Sequence, residues 1–181
     1  MTDAEELIGP RVLLRPFRPS DVPAVLDYAS DPEVTRHLEW DAYDDPATAA
    51  AFIRSTQVGG SSWIARAIVR RGDDLVIGGA DLRVVSPRDR RAEIGYGLAR
   101  AHWGRGYATE AAGLLLRFGF ERLGLVRIQA LCAVDNERSA RTLERLGMRR
   151  EGRLAHYRWK KGAPRDHYLY ALTRGDGCCP E

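Results

Sequence analysis

Two glycines one residue apart, Gly104 and Gly106, sit in the segment Trp103-Gly104-Arg105-Gly106-Tyr107-Ala108-Thr109-Glu110-Ala111, between a strand-like run and the strongest helical pattern of the chain. Glycine tolerates backbone conformations that let successive N–H groups turn inward, and the first turn of a helix leaves N–H groups unpaired with positive dipole character. Together they form a cradle for phosphate; a tight turn with no ligand is the plainer use of the same residues. Two other phosphate motifs are excluded. No Gly-Lys-Ser/Thr is present for a Walker A loop, and Thr109 stands where a dinucleotide fingerprint needs its third glycine. A second polar pair, Asn136 and Ser139, opens a later helix, with Asn136 suited to cap it.

The elements that must position these residues alternate between strand and helix signals, which predicts one α/β domain. Val12 to Arg15 reads as a short strand, and Pro19-Ser20-Asp21 opens a helix towards Tyr28, with Ser20 or Asp21 able to cap it and Asp31-Pro32 breaking it. Asp45-Pro46-Ala47 starts a second helix that Gly59-Gly60 ends. Strands are predicted over Trp63 to Arg70 and Leu75 to Val85, joined by Arg71-Gly72-Asp73-Asp74, and over Ala92 to Leu98 after the turn Pro87 to Arg90. Ala108, Ala112, Leu115, Gly119 and Leu123 recur at helical spacing over 108 to 123, and Gly124 stops that helix. Val126 to Val134 reads as a buried strand, Glu137 to Leu146 as a helix ended by Gly147, and Arg149 to Tyr157 and Asp166 to Thr173 as strands around the loop 160 to 164. The domain spans 10 to 173, with tails at 1 to 9 and 174 to 181.

Composition limits the function classes. The 181 residues, 44% hydrophobic and 29% charged, suit a single globular unit. A net charge of +3 is too small for binding nucleic acid by charge alone, and the longest uncharged run, Ser55 to Ala65, is too short to span a bilayer. No nucleic-acid or membrane partner is expected. The acidic start Met1-Thr2-Asp3-Ala4-Glu5-Glu6 lacks the features of a secretion signal, so the expected location is the cytoplasm. Cys132 lies in an apolar run and Cys178 and Cys179 are adjacent, which gives no disulfide and no metal-ligand spacing. The charge is uneven: 12 basic and 16 acidic residues in 1 to 98, against 16 basic and 9 acidic in 99 to 181. A polyanionic ligand would prefer the second half.

Three motifs in order, Ala92-Glu93-Ile94-Gly95-Tyr96, then the 103 to 111 segment, then Asn136-x-x-Ser139 leading to Glu144-x-x-Gly147-Met148, resemble the GNAT acetyltransferases and, within them, the RimJ/RimL-like ribosomal-protein N-acetyltransferases. Asp31-Pro32-Glu33-Val34 and Asp166-His167-Tyr168-Leu169-Tyr170-Ala171-Leu172 fit the same branch. The resemblance implies a single-domain GNAT fold, a mixed and mostly antiparallel twisted sheet flanked by helices, with two strands splayed at the acetyl-CoA site. It implies that the coenzyme pyrophosphate meets Gly104, Arg105, Gly106, Tyr107, Ala108 and Thr109 beside Trp103. The pantetheine arm would then enter next to Tyr96, Gly97 and Leu98, within reach of Asn136 and Ser139. The Tyr that many relatives use as an acid towards the leaving sulfur falls at Leu143, so that role passes to Ser139 or is unnecessary, since a thiolate is a fair leaving group.

Amide formation needs a free amine, and α-amines and Lys side chains, with pKa values of about 8 and about 10, arrive largely protonated. Glu93 is the candidate base, directly or through a water. The plainer reading pairs Glu93 with Arg88, Arg90 or Arg91 at a strand edge. Gly95 and Gly97 suggest a bulge whose N–H groups stabilise the oxyanion, or simply close backbone approach. Trp40, Tyr43 and Tyr157 are the acceptor-side candidates. The expected activity is acetyl transfer to a primary amine in a ternary complex, with no covalent enzyme intermediate. The acceptor is a protein N-terminal amine or a small amine such as an antibiotic, polyamine or amino-acid derivative. A non-catalytic acyl-CoA-binding module is the alternative of another class. The chain is expected as a monomer or homodimer.

Overall fold

The computed structural model describes residues 5–58 and 62–176, so Gly59-Gly60 and Cys178-Cys179 lie outside the described residues. In chain order the elements are β1 (Leu7–Ile8), β2 (Val12–Arg15), α1 (Val22–Ala29), α2 (Pro32–Thr35), α3 (Pro46–Val58), β3 (Trp63–Arg70), β4 (Leu75–Ser86) and β5 (Arg91–Leu98). They continue with α4 (Tyr107–Glu121), β6 (Arg127–Ala133), α5 (Glu137–Arg145), β7 (Arg149–Lys160) and β8 (Ala163–Thr173). The strands form one sheet in the order β1-β2-β3-β4-β5-β6-β8-β7. Every pairing is antiparallel except β5 with β6. Parallel neighbours need a long crossover, and α4 supplies it. Leu7 and Ile8, expected in a tail, pair with Leu14 and Leu13 because the chain reverses at Gly9 and Pro10.

Alternation along β3 sorts its side chains into two cores. Ile64 and Ile68 join the cluster that contains Leu115 and Leu116 of α4 and Ile128 of β6. Ala65, Ala67 and Val69 join the cluster with Val25 of α1 and Ala49 and Ile53 of α3. The sheet is thus covered on both faces, α4 on one and α1 with α3 on the other. Each fully buried Leu or Ile contributes about 1.5–3 kcal/mol relative to exposure.

Several boundaries differ from expectation for identifiable reasons. Asp21 does not cap α1 with its side chain. Instead it closes a 3₁₀ turn by accepting from Arg18 N at 2.8 Å and forms a buried pair with Arg15 at 2.7 and 2.9 Å. Burial opposes its ionisation, but the hydrogen bond from Arg15 and the Arg18 N–H outweigh it and hold the carboxyl below its usual value. Asp31-Pro32 starts the short α2, since Asp31 accepts from Glu33 N at 2.9 Å. The late loop shrinks to Lys161-Gly162, both with positive φ, so β7 and β8 extend to meet there.

Candidate active site

Strands β5 and β6 pair only from Arg91–Arg127 to Glu93–Gln129, and beyond Glu93 they part while β6 keeps its register with β8 to Ala133. Ala99 N donates to Ile77 O on the β4 side. Strict alternation therefore turns the N–H groups of Ile94, Tyr96 and Leu98 towards the opening. The expected bulge at Gly95 to Gly97 is absent: β4 and β5 stay in register from Gly78–Leu98 to Val84–Ala92, and the irregularity falls between Val84 and Ser86. The glycines serve close approach instead. A Cβ on Gly78 would lie 2.2 Å from Gly97 O, and one on Gly95 would lie 2.7 Å from Asp81 Oδ1.

The opening leads into a groove of about 1020 Å³ between α2, the start of α4 and α5. At its floor, Gly104 (φ 73°) and Gly106 (φ 79°) adopt left-handed conformations, and the second begins α4. The N–H groups of Tyr107, Ala108 and Thr109 fall in the first turn of α4, where no intrahelical carbonyl is available. Glu110 faces away, accepting from Arg11 N at 2.7 Å and Val12 N at 3.0 Å, and so pins the helix start to β2. Arg11 also donates to Arg105 O at 2.9 Å, fixing the loop between the two glycines. Trp103 donates from its indole to Leu98 O at 2.8 Å, which ties the loop to the end of β5. Arg105, expected to meet the pyrophosphate, is exposed and does not line the groove. From α5 the groove is lined by Arg138, Arg141 and Arg145, none of them singled out from sequence, with Arg138 also 4.8 Å above the Trp103 ring. Their spacing along an amphipathic helix was the available signal.

Asn136 caps α5 by accepting from Ser139 N at 3.2 Å. Ser139 Oγ lies 3.0 Å from the Tyr96 hydroxyl, which reaches it from β5. Burial raises the Tyr96 phenol far above its ordinary value, so it stays protonated and able to donate. Cys132 is buried nearby, its thiol raised by burial, and its Sγ lies 3.4 Å from Asn136 O. Leu143 is 1% exposed and belongs to the core, so the helix offers no hydroxyl there.

Glu93 projects from the opposite face of β5 to Tyr96, three residues on. Its partners are none of Arg88, Arg90 and Arg91. Arg83 of the adjacent β4 lies 3.1 Å away, Arg158 of β7 lies 3.8 Å away, and Gln129 donates at 3.3 Å. Glu39 joins the network through Arg158 at 2.6 Å and Arg83 at 3.6 Å. Asp81, directly across from Gly95, was not singled out from sequence. Trp63 Nε1 donates to it at 3.0 Å, and burial pushes its carboxyl up to about 6 against the opposing Trp63 hydrogen bond and Arg83 charge. Hairpin register through the turn at Pro87 to Arg90 was the signal that could have found it.

Trp40, Tyr43 and Tyr157 do not line the groove; Leu38 does, and a Cβ on Gly97 would lie 3.4 Å from its Cδ1. Trp40 packs between Tyr43 and Phe52, with ring centroids 6.5 Å apart in each pair. Lys160, at the tip of the β7–β8 hairpin, donates to Leu38 O at 2.7 Å and Trp40 O at 2.5 Å, holding this segment over the sheet. Tyr157 is 48% exposed and its ring centroid lies 5.8 Å from His167.

This arrangement has close parallels. Residues 11–149 match the family model described as an acetyltransferase (GNAT) domain. The chain is 34% identical over 173 residues to the uncharacterized N-acetyltransferase p20 of Bacillus licheniformis, covering 94% of this chain and 97% of that one. An acetyltransferase (GNAT family) from Bacillus anthracis superposes with a TM-score of 0.86 at 27% identity, covering 93% of this chain and 98% of its own. The Mycobacterium smegmatis RimJ, solved in complex with CoA-disulfide, superposes with a TM-score of 0.82 at 27% identity, covering 90% of this chain and 82% of its own. The splayed strands, the glycine turn before α4 and these matches together place the chain in the GNAT N-acetyltransferase family, with RimJ/RimL-like proteins among its relatives.

Proposed function

We propose that the protein transfers the acetyl group of acetyl-CoA to a primary amine by direct attack in a ternary complex. The observation that carries this reading is the junction of the β5/β6 opening with the left-handed turn at Gly104 and Gly106. The turn presents first-turn N–H groups to the coenzyme pyrophosphate, and the arginines of α5 add charge from the other wall. The N–H groups of Ile94, Tyr96 and Leu98 are spaced to hold an extended amide-bearing arm as an added strand would be held. They also offer donors to the oxyanion of the tetrahedral intermediate. Ser139 and Tyr96 supply hydroxyl donors for the departing sulfur.

The acceptor is read as a protein N-terminal amine, a reading supported by relatives such as the Escherichia coli ribosomal-protein-serine acetyltransferase, 32% identical over 55% of this chain. A small amine is the second reading; the carboxylates Glu39, Asp81 and Glu93 on the acceptor face favour any cationic acceptor equally. Mixing acetyl-CoA with protein N-terminal peptides and, separately, small amines, then following CoA thiol release, tests both. Thiol release with peptides supports the first reading, release with small amines only supports the second, and thermal stabilisation by acetyl-CoA without release marks a binding module instead.

A further inference from the structure

We propose that Asp81, rather than Glu93, is the group that takes the proton from the attacking ammonium. This rests on the N-acetyltransferase reading above and assigns its base.

The geometry separates the two carboxylates. Asp81 stands opposite Gly95, and only the missing side chain there lets its Oδ1 settle against the β5 backbone. Gly95 is flanked by Ile94 and Tyr96, whose N–H groups face the opening, so the Asp81 carboxylate lies beside β5 at the level where that strand leaves β6. A base also needs an open lone pair. Among the described residues the only hydrogen bond to the Asp81 carboxylate comes from Trp63 Nε1, on Oδ2, and Oδ1 accepts none. Glu93, by contrast, has Arg83 and Arg158 at Oε1 and Gln129 at Oε2.

The groups around Asp81 suit the task. Trp63 of β3 orients it, Arg83 of β4 is shared with Glu39 and Glu93, and Glu39 and Glu93 face it with negative charge. Arg158 of β7 is spent on Glu39 and Glu93. The consequence is a carboxyl poised at about 6, close to the pH at which a carboxylate both ionises and accepts a proton efficiently.

The step balances as follows. The Asp81 carboxylate accepts one proton from R–NH₃⁺, and the freed lone pair forms the C–N bond to the thioester carbonyl carbon. Collapse of the tetrahedral intermediate breaks the C–S bond. Of the two protons the nitrogen loses, one passes from Asp81 to solvent and the other reaches the departing sulfur.

The test compares Asp81→Asn and Glu93→Gln with the unmodified protein, using spermidine, phenethylamine and Ser-Ala-Ala amide as acceptor probes. Asn keeps the Trp63 hydrogen bond, and calorimetry with acetyl-CoA checks that each variant still binds coenzyme. Asp81→Asn is expected to lose about 100-fold in kcat/KM near neutral pH and to lose the rise in rate centred near pH 6, with the deficit shrinking at high pH as free amine accumulates. Glu93→Gln is expected to keep that rise. An unchanged profile in Asp81→Asn, or loss of the rise in Glu93→Gln alone, overturns the assignment. If no probe is acetylated, the Trp63 indole N–H resonance is titrated with and without propylammonium in the acetyl-CoA-bound protein. A lower titration midpoint with propylammonium supports the proposal, and an unmoved midpoint overturns it. Absence of any acetyl-CoA binding overturns the N-acetyltransferase reading itself.

Discussion

The Tyr96 hydroxyl of β5 meets Ser139 Oγ of α5 at 3.0 Å, so two hydroxyl groups from separate elements converge where the helix carries Leu143 in place of a tyrosine. In the proposed reaction either would serve the leaving sulfur, and a thiolate needs only modest help. Ser139→Ala and Tyr96→Phe are each expected to lower kcat by about 3- to 10-fold. The double variant should lose more than the product of the two, because each hydroxyl covers for the other. Steady-state kinetics on the three variants checks this.

Gly106 begins α4 at φ 79°, and a Cβ there would also lie 3.1 Å from the Arg11 guanidinium that holds the Arg105 carbonyl. Gly106→Ala therefore combines left-handed strain, about 1–2 kcal/mol, with displacement of the group that fixes the turn. A loss of about 10-fold in acetyl-CoA affinity is expected by calorimetry. Gly124→Ala also places alanine at positive φ (65°), but where nothing lies within 4 Å of the added Cβ, and it should leave acetyl-CoA affinity unchanged.

Asp81 makes stability depend on pH with a defined sign. Its folded carboxyl sits at about 6 against an ordinary value of 3.8, so the folded chain binds this proton at higher pH than the unfolded one. Stability from this group therefore rises as pH falls through 6 towards 4, and above 6 its ionisation costs about 1–3 kcal/mol. Asp81→Asn should raise the melting temperature at pH 8 and have little effect at pH 4. Thermal denaturation at the two values checks it.

The helix-forming and strand-forming patterns made most of the fold legible, and the glycine turn before α4 stood out because its signal is local: two glycines, then a helix. Asp81 escaped notice because its meaning depends on which residue it faces across a hairpin, and Gly95 looked like a bulge rather than a partner surface. Glu93 was visible as a carboxylate, but its arginines come from β4 and from β7, the latter far along the chain, and long-range pairing is not written in spacing. Arg105 stands between the two glycines, but adjacency in sequence says nothing of which way its side chain leaves the turn, and it is the arginines of α5 that line the groove. Asp21 looked like a cap, but the buried Arg15 at the end of β2 takes up the same oxygens.

A crystal structure of the protein with bound CoA tests the central claim most directly. The account predicts pyrophosphate oxygens within hydrogen-bond distance of the N–H groups between Gly104 and Thr109, with the pantetheine arm entering the gap beyond Glu93 and its thiol near Ser139. A coenzyme seated elsewhere, with this turn making no contact to phosphate, would contradict it.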